Sequence, residues 1–279
     1  MNTSSQSGGN IMAIIFITGA SSGIGKDTAL KLAQAGHTVY GAARRVDTIE
    51  AIPNVHAVKL DLTDSQSIQA AVDHVLKAAG HIDVLINNAG YGSYGAIEDV
   101  SIADAKRQFD VNLFGVAALT QAVLPGMRAQ HSGRIINTGS MGGRFTTYMG
   151  AWYHATKYAL EAFSDALRME VAPFGIQVSL IEPGAIKTNW GKIAADHLVA
   201  SSEHGAYAKQ AQQAAELLKE TYSSRWLTDP DVIAKTMLKA VNARKPKPRY
   251  LVGFGAKPLV FLHTILPTRM FDWLSVHYM

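Results

Sequence analysis

Short β-branched runs alternate with longer stretches rich in Ala, Leu, Lys and Gln along most of this chain, and that alternation restricts the folds open to it. IIFIT at 14–18 reads as a strand and the stretch from Ile24 to Ala35 as a helix. HTVYGAA at 37–43 and HAVKLDL at 56–62 give a second and a third strand, with Asp61 closing the third. Residues 65–80 read as helix, IDVLINNAG at 82–90 as a fourth strand, and 101–129 as helical. GRIINTGS at 133–140, a helix over 152–171 and IQVSLIEPG at 176–184 complete the series. Strands joined by helical crossovers run parallel, and the crossovers cover both faces of the sheet. The expected fold is α/β: one doubly wound parallel sheet with helices on both faces. No linker-like stretch divides the series, so a single domain spans 1–279.

Beyond Gly184 the rhythm changes. Residues 187–228 are polar and rich in Ala and Gln, with a helix around 205–220, and are expected to form a substrate-binding insertion. TDPDVIAKTMLKAV at 228–241 reads as a helix with Thr228 as its cap and Pro230 in its first turn. YLVGFG at 250–255 reads as an edge strand. The extension over 257–279 is apolar and basic, and Pro267 interrupts it, so a continuous membrane helix is not expected. Packing over the domain, packing against a second subunit and peripheral membrane contact all stay open for it. From Ala243 onward the bases are Arg244, Lys245, Lys247, Arg249, Lys257 and Arg269 against the single acid Asp272, while the rest is close to neutral. Such a distribution does not describe a nucleic-acid-binding surface, and no nucleic-acid partner is expected. Cysteine is absent, which excludes disulfides, thiol nucleophiles and thiolate metal sites. With the polar start MNTSSQSGGN, which lacks a signal-peptide pattern, this fits a cytoplasmic protein.

Between the first strand and the first helix stands TGASSGIG at 18–25. Gly19, Gly23 and Gly25 permit a tight turn, close approach by a ligand, and close packing of helix on sheet. With Ser21, Ser22 and Ile24 they would hold a pyrophosphate at the helix N-terminus, as Rossmann-type domains do. No G-K-[ST] follows to suggest an NTP-binding loop. The second strand ends GAARRVD: no acid stands near Ala43 to receive ribose hydroxyls, and Arg44 and Arg45 follow at once. Two guanidinium groups there favour a 2′-phosphate and hence NADP(H), the alternative being two surface arginines. Asp61 and Leu62 would border the adenine, and Asn88, Ala89 and Gly90 leave room beside a flat ligand.

YHATK at 153–157 places Tyr153 and Lys157 on one helical face. A phenol titrates near pH ~10, and a neighbouring ammonium stabilises its phenolate. Ser140 closes the fifth strand, at the strand ends where open α/β sheets bind ligands. A Tyr–Lys pair by itself is more often structural, and its weight comes from the whole arrangement. His154 and His131 read as packing residues rather than metal ligands, and no metal is expected.

TGASSGIG, NNAG at 87–90, Asn112 in FDVNLFG, Ser140 in INTGS, YHATK and PGAIKT at 183–188 occur in an order and at intervals that resemble the short-chain dehydrogenase/reductase family over roughly residues 11–255. The resemblance implies that Tyr153 is the acid/base, Lys157 its pKa-lowering partner and ribose anchor, and Ser140 the holder of the carbonyl oxygen. Asn112 would position a water in the proton relay. Pro183, Gly184, Ile186 and Thr188 would meet the nicotinamide end. The implied reaction moves hydride between nicotinamide C4 and a carbonyl or alcohol carbon. Met141, Phe145, Tyr148 and Trp190 would wall an apolar substrate pocket. GFG at 253–255 and the extension beyond it look more like hydroxysteroid- and retinol-dehydrogenase-like carbonyl reductases than like ketoacyl reductases. A 3-ketoacyl-thioester reductase and a non-catalytic nucleotide-binding sensor or scaffold are the alternatives. The family pairs its helices near 105–129 and 153–171 into dimers and tetramers. Here the second carries Ala159, Leu160, Phe163, Leu167 and Val171, a face that covering the sheet explains equally well.

Overall fold

In β1 (Ile14–Thr18) successive side chains leave opposite faces of a sheet: Ile15 and Ile17 enter one hydrophobic core, Phe16 the other. The same division recurs at Leu85 against Val84 and Ile86, and at Ile135 against Ile136. These strands are apolar on both sides because both sides are covered. A computed structural model describes residues 12–278; the polar leader and Met279 lie outside the described residues.

The sheet has seven parallel strands in the order β3-β2-β1-β4-β5-β6-β7. They are β1, β2 (Thr38–Ala43), β3 (Val55–Lys59), β4 (Val84–Asn87), β5 (Gly133–Thr138), β6 (Ile176–Pro183) and β7 (Arg249–Val252). The helices are α1 (Gly23–Gln34), a single turn α2 (Asp47–Glu50), α3 (Ser65–Ala79), α4 (Ile102–Phe109), α5 (Gly115–Ala129), α6 (Ala151–Val171), α7 (Trp190–Ser202), α8 (Ala208–Ser223), α9 (Pro230–Asn242), α10 (Ala256–Ile265) and α11 (Thr268–Tyr278). α1 packs on α9 over one face, and α3 packs on α5 over the other. The strand order reverses between β1 and β4, which opens a crevice at their carboxyl ends.

Several boundaries differ from the sequence expectation. The third strand stops at Lys59, so Asp61 lies in the following turn, where its carboxylate accepts from Thr63 N (3.0 Å) and Thr63 Oγ1 (2.8 Å). The cap of α9 is Asp229, which accepts from Asp231 N, rather than Thr228. Thr228 Oγ1 instead accepts from Phe254 N at 2.8 Å, tying the insertion to the segment after β7. The insertion contains α7 as well as α8, packed on each other through Ala194, Ala195, Leu198, Ala211 and Ala215. Pro267 divides the tail into α10 and α11. No helix among the described residues is long and apolar enough to cross a membrane.

Candidate active site

The glycine turn is built by three different demands. Gly19 (φ +70°) and Gly23 (φ +53°) occupy left-handed conformations that side chains disfavour. At Gly25 a Cβ would lie 2.2 Å from the Gly19 carbonyl oxygen, so helix and turn meet only because that carbon is absent. Thr18, at the end of β1, locks the neighbouring crossover: its Oγ1 accepts from Asn88 N and Ala89 N at 3.0 Å, and its carbonyl accepts from Asn88 Nδ2 at 3.1 Å. Ser22 precedes α1 without a side-chain cap, leaving first-turn amides directed at the crevice. Arg44 and Arg45 are exposed at the end of β2 and line the same cavity. Thr63's two hydrogen bonds hold the Asp61 carboxyl below its usual range, with a smaller contribution from Arg44.

The cavity has a volume of about 1670 Å³ and runs from this turn to the insertion and the tail. Tyr153, Lys157 and Ser140 line its middle. The Lys157 ammonium is buried and donates to the Thr138 carbonyl at 2.8 Å. Burial lowers its pKa to about 8, opposed by the charge of Glu161. Burial raises Tyr153 to about 12, opposed by the neighbouring Ser140 hydroxyl. The direction differs from the sequence expectation: desolvation of the phenolate outweighs any lowering by Lys157, and the group that pulls the phenol down is Ser140.

Two buried side chains fix this geometry from behind. His154 Nδ1 donates to Gly142 O (2.7 Å) and its Nε2 accepts from Thr147 N (3.0 Å), clamping the loop after Ser140 onto α6. Burial lowers its pKa to about 4, so it works as a neutral clamp. Asn112 sits in a π-helical turn over 110–114 between α4 and α5, an irregularity often found at functional sites. Its Oδ1 accepts from Tyr91 N (3.1 Å), and its Nδ2 donates to Tyr91 O (2.9 Å) and to Thr156 Oγ1 (3.1 Å). That side chain does not line the cavity; its polar atoms are engaged with the chain after Gly90 and with α6.

Gly19, Ser21, Ser22, Gly23, Ile24, Gly25, Asp61, Leu62, Asn88, Ala89, Gly90, Pro183, Gly184, Ile186 and Thr188 all reach the cavity wall. The PGAIKT loop is held close by Gly184, where a Cβ would meet Phe254 O at 2.1 Å, and by an Ile186–Thr228 bridge. Met141, Phe145 and Trp190 wall the far side; Tyr148 does not, because its backbone turns toward α11. Tyr94 and Tyr222 were not anticipated. Tyr94 lies 5.9 Å from the Tyr153 ring and 5.8 Å from Trp190, and Tyr222 lies 5.4 Å from Trp190. Gly92 admits Trp190, since a Cβ there would fall 2.3 Å from the indole.

These residues fit a nicotinamide dinucleotide: a glycine cradle for the pyrophosphate, bases at β2, and a Tyr–Lys–Ser group farther along one continuous cavity. The family model for short chain dehydrogenase matches residues 13–198. The chain is 36% identical over 260 residues to "Probable short-chain type dehydrogenase/reductase VdlC" of Helicobacter pylori, covering 92% of this chain and 94% of that one. It is 44% identical over 177 residues to a 3-ketodihydrosphingosine reductase of Bacteroides thetaiotaomicron, covering 63% and 65%. It is 34% identical to an NADPH-dependent 3-dehydrocapnine reductase of Ornithobacterium rhinotracheale, covering 94% and 95%. Among solved structures, a short-chain dehydrogenase from Streptomyces avermitilis superimposes with a TM-score of 0.78 at 33% identity, covering 91% and 92%. One from Burkholderia phymatum in complex with NAD gives 0.73 at 27%, covering 85% and 88%. The chain belongs to the short-chain dehydrogenase/reductase family, and it is an oxidoreductase of nicotinamide-binding, Rossmann-like fold.

Proposed function

We propose that this protein uses NADPH to reduce an apolar ketone or aldehyde, with Tyr153 as the proton donor. The carrying observation is the single cavity that joins a glycine cradle flanked by Arg44 and Arg45 to an aromatic chamber, with Tyr153 and Ser140 between them. Arg44 and Arg45 would hold the 2′-phosphate, the turn from Gly19 to Gly25 the pyrophosphate, and Lys157 the ribose. When bound, the reduced nicotinamide supplies hydride to the carbonyl carbon. Ser140 donates a hydrogen bond to the oxygen as negative charge grows there. A phenol held near 12 is protonated at neutral pH, so Tyr153 is poised to give its proton to that oxygen. Lys157, at about 8, keeps its charge at neutral pH and stabilises the phenolate that remains.

Tyr94, Trp190, Tyr222 and Leu218 make the chamber apolar enough for a long-chain carbonyl compound. Two relatives support that class, being named for 3-ketodihydrosphingosine, a long-chain ketone, and for 3-dehydrocapnine. A cytoplasmic homodimer or homotetramer is part of the proposal: Phe114 after α4 and Tyr158 on α6 stay exposed on the helices that would pair. A monomer by light scattering at micromolar concentration would remove that part.

Calorimetric titration with NADPH and NADH, repeated with Arg44→Ala, tests the cofactor. Tighter NADPH binding that fades selectively in the variant is expected. Equal affinities would make Arg44 a surface residue and return NAD dependence. Tyr153→Phe should retain nucleotide binding and lose turnover of a long-chain 3-ketone. A wild-type protein that binds nucleotide but reduces no carbonyl compound would instead be a nucleotide-binding sensor.

A further inference from the structure

The last two helices turn their apolar side chains outward. Phe261 and Ile265, one turn apart on α10, and Met270, Trp273 and Val276 on α11 are between 48% and 62% exposed. The other side of α11 is anchored: Phe271 packs edge-on against Phe145 with 5.6 Å between ring centroids, and Ser275 Oγ accepts from Tyr148 N at 3.1 Å. His263 packs edge-on against Phe271 and ties α10 to the same anchor. The outward face is therefore held in place by the body of the protein.

Its surroundings indicate what covers it. Lys257 and Arg269 are exposed near the start of each helix, Arg244, Lys245 and Lys247 are exposed just before β7, and Asp272 is the single acid beyond Ala243. A second copy of the chain would bring these like charges together, whereas a negatively charged surface complements them. Trp and Tyr beside Lys and Arg, on an apolar helix face, is the composition that settles at the headgroup–acyl boundary. The same hairpin borders the cavity: Pro258, Leu259 and the exposed Tyr278 line its wall, together with the exposed Phe254.

The geometry points to α10 and α11 as a docking element for the surface of an anionic phospholipid bilayer. Phe261, Ile265 and Trp273 enter the headgroup–acyl boundary, and the cavity mouth faces the lipid. A long-chain ketone then passes from the bilayer toward Tyr153 without crossing water, a step that rests on the apolar-substrate reading while the docking does not.

Cosedimentation of the full chain with phosphatidylcholine vesicles, with and without phosphatidylglycerol, tests the docking. The wild type should pellet with phosphatidylglycerol vesicles and far less with phosphatidylcholine alone. Lys257→Gln with Arg269→Gln should weaken binding about 25-fold at low salt, at about 5-fold for each base removed. Phe261→Glu with Trp273→Glu should abolish it. Both variants should still titrate with NADPH and reduce a short, water-soluble ketone. A wild type that stays in the supernatant with both vesicles overturns the docking. So does a wild-type dimer that Phe261→Glu with Trp273→Glu converts to a monomer, since the face is then a subunit contact. If the protein docks and reduces the soluble ketone but not a bilayer-embedded one, docking stands and delivery from the membrane is overturned.

Discussion

Glu161 lies one turn beyond Lys157 on α6, 7% exposed, and faces Glu182 at the end of β6, 1% exposed. Arg249 on β7 reaches both, its Nε 3.0 Å from Glu161 Oε2 and 3.4 Å from Glu182 Oε1, and Arg144 is 3.3 Å from Glu182 Oε1. The remaining oxygens, Glu161 Oε1 and Glu182 Oε2, are buried with no other partner. One proton on Glu161, donated to Glu182, satisfies the pair. Burial first, and then the Glu182 charge, raises the Glu161 pKa to about 8, with Arg249 opposing. The unfolded chain releases this proton near pH 4.5 and the folded chain only near 8. Between those values the folded state binds one proton more, so stability falls as pH rises, by ~1.4 kcal/mol per pH unit. From about pH 5 to about pH 8 the loss is roughly 3 kcal/mol. Glu161→Gln donates a similar hydrogen bond to Glu182 and does not titrate. Urea unfolding of both proteins across that range should show the variant gaining on the wild type by roughly 3 kcal/mol toward about pH 8. His154, which titrates at lower pH, contributes similarly to both proteins, and the lowered pKa of Lys157 acts above about 8. A wild-type-minus-variant difference that stays flat with pH would refute the shared proton.

Gly25→Ala places a Cβ against Gly19 O and Asn88 Nδ2, so NADPH binding should weaken by ~10-fold or more; unchanged affinity by calorimetry would show the turn relaxing without cost. Asn112→Ala leaves the Tyr91 amide without its acceptor, while Gln108 Nε2 still donates to the Tyr91 carbonyl, and should lower stability by about 1–3 kcal/mol, read from urea midpoints. His154→Gln should reduce kcat more than KM by loosening the Ser140 loop. The same variant should also remove the acid sensitivity of a histidine whose folded pKa is depressed. That histidine's stability contribution is present above about 6.5 and lost as pH falls toward 4, which a pH series of melting temperatures would show.

The crossover framework was legible because each part of it is local. A strand, a glycine turn and a helix start lie within Ile14 to Gly25, and the Tyr153–Lys157 spacing is one helical turn. What was hidden depends on partners remote in the chain. Glu161, Glu182 and Arg249 look like ordinary surface charges until β6, β7 and α6 bring them together. Tyr94 gains its place from Trp190 and His154, far along the sequence. The burial that raises the Tyr153 phenol was hidden as well, because spacing reports that an ammonium is near and says nothing about how dry the phenol is. Thr228 and Asp229 are both capping residues, and Phe254 N, coming from beyond β7, occupies the threonine.

The two ends of the cavity differ for the same reason. The cradle end is set by backbone: left-handed glycines, missing Cβ atoms and amides at a helix start, which few residue types can replace. The chamber end is set mainly by side chains: Tyr94, α7 and α8 pack together, with Gly92 and Gly191 making room for Trp190 and Tyr222, and the tail hairpin adds Pro258, Leu259 and Tyr278 to the wall. Substitution at Leu218, Tyr222 or Leu259 changes what fits while leaving the Tyr153–Lys157–Ser140 group untouched. Backbone demands tie a nucleotide to the fold, and side-chain packing leaves the second ligand free to vary. The oxidoreductase family was therefore readable from short motifs, whereas the substrate class depends on the assembled chamber and the hairpin that borders it.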